Sequence, residues 1–82
     1  MNETNNLFSH VSSHILAQTH AGGTLISTVS LPTSSPGEIP DYETCLFFAS
    51  GESEIVATYG SEEAAHQGHE YWYDLCVKIR SE

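Results

Sequence analysis

The segment Ser61–Arg80 constrains the fold more than any other part of this chain. At about 100° per residue, Ala64, Ala65, Gly68, Trp72, Leu75, Cys76 and Ile79 fall on one side, with Tyr71 at the margin. A single apolar stripe of this width predicts an amphipathic helix with one buried face. The ends agree with the stripe. Ser61 follows Gly60 as an N-cap, Glu62 and Glu63 occupy the first turn, and the chain's only two cations, Lys78 and Arg80, lie in the last. Such a helix needs an apolar sheet or a second helix to cover its stripe.

The sheet is legible upstream. Thr24–Leu31 is rich in β-branched residues and alternates, with Leu25, Val29 and Leu31 on one face and Ile26 on the other. Tyr42–Phe48 and Glu54–Tyr59, joined through Ser50-Gly-Glu-Ser53, read as a β-hairpin. Alternation assigns Tyr42, Leu46, Phe48, Ile55, Ala57 and Tyr59 to one face, and Cys45, Phe47 and Val56 to the reverse. Residues 32–40 hold all three prolines and form a surface loop. Before the first strand, Leu7, Phe8, Val11, Ile15 and Leu16 recur at helical spacing, which predicts a helix over 5–17, ended by Gly22-Gly23; residues 1–6 are polar and are expected to be frayed. The expected fold is therefore one α+β domain over residues 1–82, in the order α-β-β-β-α, with a three-stranded antiparallel sheet packed against the C-terminal helix. Apolar groups on both sheet faces require a cover on the second one: the N-terminal helix, a second copy or a target protein.

Charge narrows the function. Eleven acidic residues against two basic ones give a formal charge of −9. Such a surface repels phosphate backbones and anionic membranes, so neither nucleic acid nor membrane is an expected direct partner. A protein with a basic surface is the natural complement. No apolar run reaches the roughly 20 residues needed to span a bilayer, and the N-terminus lacks a basic signal-peptide region, so a cytosolic setting is expected. Cys45 and Cys76 then read as reduced, buried thiols.

No arrangement points to catalysis. Ser12 and Ser13 have no nucleophile-elbow context, no carboxylate pair sits in apolar surroundings, and no glycine-rich loop precedes a lysine. His66 and His69, at i and i+3, are the most suggestive metal-ligand pair, and His10 and His14 the next. The plainer reading has His69 at the core edge, hydrogen-bonded to the hairpin, and His10 and His14 on a solvated face. Gly68, costly inside a helix by about 1 kcal/mol, fits a close approach by a strand aromatic such as Phe48 or Tyr59. Neither an enzyme activity nor a cofactor or metal is expected. The acidic residues Glu38, Asp41, Glu43, Glu52, Glu54, Glu62, Glu63, Glu70 and Asp74 are assigned to the loop, the strand edges and the outward helix face.

The blocks Ser27-Thr-Val29 with Leu31, Tyr42-Glu-Thr44 with Phe47, and Tyr59, Ser61, Glu63, Ala65 and Gly68-His69 follow one another in the order seen in a family of small proteins of tailed phages and prophages, which the chain resembles. The similarity covers residues 27–69. Family members often follow the first strand with Leu-Gly-Leu-Asp-His, whereas Leu31-Pro32-Thr33 stands here; Thr58 replaces a common cation and Ala64 a common glutamate. The resemblance implies a phage origin and a host-cytoplasmic setting. Joined to the acidic charge, it suggests a non-enzymatic protein that binds and inhibits a host nucleic-acid-handling or defence complex, a CRISPR effector being the sharpest case. The expected partner-binding residues are Glu62, Glu63, His66, Glu70, Tyr73 and Asp74. A homodimeric phage accessory or structural protein is the alternative, and a histidine-based metal-binding module the third.

Overall fold

The computed structural model describes residues 14–81. Four strands, β1 (His14–Ala21), β2 (Thr24–Ser30), β3 (Tyr42–Phe47) and β4 (Ser53–Tyr59), precede one helix, α1 (Glu62–Ser81). They form an antiparallel meander in the order β1-β2-β3-β4. The α+β class, the C-terminal helix and the three expected strands are all present. The sheet has a fourth strand, whose first four residues fall at the end of the expected N-terminal helix.

That correction has a local cause. Residues 14–17 belong to β1, so the last four residues of the helix expected over 5–17 are strand; residues 1–13, with the rest of that helix and the frayed start expected over 1–6, lie outside the described part of the chain. The glycine pair acts as a two-residue hairpin turn. Gly22 has φ 64° while Gly23 stays out of the left-handed region, the φ pattern of a type II′ turn, whose twist matches that of the flanking strands. Register runs from Ala21↔Thr24 to His14↔Ser30, with an irregularity between Ile15 and Ala17. Leu16 is therefore out of the alternation that would have marked β1 as a strand.

A second irregularity lies between Thr44 and Cys45: Thr44 faces Ala57 and Cys45 faces Ile55, so Val56 is the extra residue. It reverses two expected orientations. Val56 packs on the core cluster of Ala21, Ile26 and Leu46, with Phe48, Trp72 and Cys76 around it. Ile55 turns to the reverse face beside Cys45 and is exposed.

α1 lies across one face of the sheet and meets all four strands. Its cap is as expected: Ser61 Oγ accepts the Ala64 N–H at 3.2 Å, and Ser61 O accepts the Ala65 N–H at 3.0 Å. On the opposite face, Ser27, Val29, Glu43 and Cys45 are buried within the single chain, so their burial does not call for a second copy. Glu43, expected at the surface, is one of them at 7% exposure. Cys45 is buried on this face, whereas Cys76, expected to be buried too, is half-buried on the sheet-facing side of α1; both are free, and burial raises both thiol pKa values. The 32–40 loop leaves and re-enters the sheet across a Leu31 N–H bond to Asp41 O of 2.8 Å. Inside it Glu38 Oε1 accepts from Ser34 N, Ser34 Oγ and Ser35 N at 3.0, 3.0 and 3.3 Å, and these bonds, the Ser34 hydroxyl first, lower the carboxyl pKa.

Candidate functional site

Alternation places one hydroxyl from each strand on the face beneath α1: Thr19 of β1, Thr28 of β2, Thr44 of β3 and Tyr59 of β4. They form a single hydrogen-bonded chain with His69. Tyr59 Oη lies 3.0 Å from Thr44 Oγ1, Thr44 Oγ1 lies 2.6 Å from Thr28 Oγ1, and Thr28 Oγ1 lies 2.7 Å from His69 Nδ1. His69 Nε2 lies 3.0 Å from Thr19 Oγ1. One polar run thus joins all five elements, and its centre, Thr28, Thr44 and His69, is buried.

The proton count along this run closes with a neutral imidazole. Tyr59 can donate to Thr44, Thr44 to Thr28 and Thr28 to Nδ1, leaving Nε2–H to donate to Thr19; the other tautomer reverses the order. Burial lowers the His69 pKa, the nearby His66 lowers it further, and Glu70 opposes the shift. All three effects are weighed on a ring whose two nitrogens are both engaged. Neither nitrogen has a lone pair to offer a metal, so the His66–His69 pair is not a ligand set. His66 points outward, with Nε2 3.5 Å from Glu62 Oε2 one turn back. His14 lies in β1, which removes the helical i, i+4 relation to His10. Among the described residues no cluster of three or more His, Cys, Asp or Glu could hold a metal ion.

Gly68 completes the arrangement. A Cβ there would overlap the edge and hydroxyl of the Tyr59 ring, so the helix can approach β4 only because this position has no side chain. Gly68 admits Tyr59 as expected, and His69 is satisfied at the core edge, but its partners are Thr28 of β2 and Thr19 of β1 and not the β3–β4 hairpin that was expected to hold it. Thr28, Thr44, Tyr59, Gly68 and His69 all belong to the blocks on which the phage-family resemblance rests. Those blocks therefore mark an internal lock between helix and sheet. Thr19 belongs to none of them; its only sequence signal is strand parity with Ala17 and Ala21, hidden by the helical spacing of Ile15 and Leu16.

The outer surface is a separate site. Glu62, Glu63, His66, Glu70 and Asp74 are exposed on the outward side of α1, as expected. Tyr73, expected there with them, is half-buried and packs against the core cluster. At 100° per residue it lies only about 40° from His69, close enough to the buried side for its ring to fold under the helix. Among the described residues no helix is long and apolar enough to cross a membrane.

No family, curated protein or solved structure matches the chain. What fold and site define together is a small α+β protein whose helix is fastened to a four-stranded meander by one satisfied polar chain, leaving an acidic outer helix face.

Proposed function

We propose that this is a non-enzymatic, phage-type protein that works in the host cytoplasm by binding and inhibiting a complex that handles nucleic acid or serves in defence, in the manner of anti-CRISPR and DNA-mimicking inhibitors. One observation carries the reading: Glu62, Glu63, Glu70 and Asp74 are all exposed on the outward side of one helix. Carboxylates held in a row on a helix present a fixed negative track, which suits a basic groove built for phosphate. The closed hydroxyl–histidine run supports the same reading, since its groups are committed to one another.

The test is affinity capture from host lysate with the wild-type chain and with Glu62→Lys/Glu63→Lys/Glu70→Lys. The reading expects a basic nucleic-acid-binding protein that is released by salt and absent from the variant's eluate. It also expects the captured protein to lose its nucleic acid in a mobility-shift assay when the wild-type chain is added. Capture that ignores both salt and charge reversal would overturn it.

A further inference from the structure

The stripe of α1 outruns the sheet. Ile79 is 66% exposed although it continues the buried side, and Tyr71 is 59% exposed with its ring edge-on to Trp72, centroids 5.3 Å apart. Between this overhanging half of α1 and the end of β3 lies an open groove of about 180 Å³, walled by Trp72, Leu75 and Ile79 and floored by Leu46 and Phe48. A second hollow, formed by Tyr71, Asp74, Leu75 and Lys78, shares Leu75 with it. The apolar track thus continues along the helix to an acidic side chain.

Charge decides the occupant. Glu54 stands opposite Leu46 in the β3–β4 register, and cross-strand partners share a face. Glu52 accepts the Phe48 N–H through its carbonyl at 2.8 Å. Both glutamates are exposed; Glu54 shares the face of the floor residue Leu46, the backbone of Glu52 borders Phe48, and Asp74 stands beyond the Leu75 wall. Among the described side chains, Lys78 is the cation beside this track. A second copy would bring another net charge of −9 against these acids. We propose that this groove takes a basic amphipathic segment of a partner protein, one apolar side chain seated among Trp72, Leu75 and Ile79 with Lys or Arg side chains set against Glu52, Glu54 and Asp74. The inference rests on the reading of the chain as a binder of basic partners and names where the partner is anchored; apolar anchors with a charged rim are the usual division of labour at interfaces.

Trp72 is the chain's only tryptophan and walls the groove, so its emission reports occupancy directly. The probes are three tryptophan-free helical peptides, one of leucine and lysine, one of leucine and glutamate, and one of serine and lysine. The leucine–lysine peptide should shift Trp72 emission to the blue and bind at least about tenfold more tightly than either control, a difference of about 1.4 kcal/mol. Ile79→Asn, at an exposed position, should weaken that binding at least about tenfold while leaving the circular dichroism spectrum unchanged. Glu52→Gln/Glu54→Gln should weaken it and flatten its salt dependence. Equal binding of all three peptides, undiminished binding to Ile79→Asn, or no binding overturns the proposal. So does sedimentation in which the wild-type chain is a dimer and Ile79→Asn a monomer, which would give the groove to a second copy. Peptide binding lost in Glu62→Gln/Glu63→Gln/Glu70→Gln but kept in Ile79→Asn would leave the acidic-face reading standing and remove the groove. Binding that behaves as proposed, beside a failed host capture, would remove only the inhibitor reading.

Discussion

His69 is where a single residue couples the architecture to solution conditions. The neutral ring is held on both sides, and burial, the first cause, lowers its pKa below the ordinary histidine value. The unfolded chain, with an ordinary histidine near 6.5, therefore takes up the proton first as pH falls. Between the unfolded and folded pKa values the unfolded state binds more protons, so stability rises with pH in that window. The contribution of His69 is fully present above about pH 6.5 and is lost as pH falls through the lowered folded value. Urea midpoints measured from pH 8 downward should drop below this point in the wild-type chain. His69→Gln, which retains hydrogen-bonding capacity without the titration, should be less stable at neutral pH and show a flatter profile. Equal slopes in the two proteins would mean that another group sets the acid limit.

At the scale of elements, the contact between α1 and β4 depends on a position with no side chain. Gly68→Ala removes the glycine penalty of about 1 kcal/mol in a helix but places a methyl where the Tyr59 ring edge lies. The ring cannot retreat without lengthening its bond to Thr44, and overpacking of this kind costs about 1–3 kcal/mol. A net loss of up to about 2 kcal/mol is expected, read from urea midpoints. In a Tyr59→Leu background the same substitution should change sign and stabilise, because the obstruction is gone and only the helix propensity remains. This pair was legible in the sequence, since a glycine inside an otherwise well-formed stripe has to be explained by something close. The β3–β4 hairpin and the Ser61 cap were legible for the same reason: each is written in local chemistry that tertiary packing did not override. β1 was not, because Ile15 and Leu16 complete a helical spacing with Leu7, Phe8 and Val11, and the irregularity after Ile15 breaks the alternation that would have competed with it. The decisive signal was Gly22-Gly23, a dipeptide suited to a two-residue hairpin as well as to a helix end. Val56 and Ile55 were exchanged by the other irregularity, which no period-2 reading can locate in advance.

For the whole molecule, the imbalance of charge acts on stability and on binding with opposite preferences. A formal charge of −9 on 82 residues means that Glu63, Glu70 and Asp74, spaced along one side of α1, repel one another and the rest of the acidic surface. Neutralising them as Glu63→Gln/Glu70→Gln/Asp74→Asn should leave the fold intact, since none of the three is buried, and should raise the melting temperature slightly at low salt. Salt provides the internal control. From about 0.01 M to about 1 M the Debye length shrinks from roughly 30 Å to roughly 3 Å, so the wild-type melting temperature should climb across that range and the variant's should climb less. Had the carboxylates only a solubilising role, the variant would capture the same host proteins as the wild-type chain. Under the proposed function it should be the more stable protein at low salt and the poorer binder, which separates a lost interaction surface from a damaged fold. A variant that binds as well as the wild-type chain would remove the outward face of α1 from consideration as the binding surface.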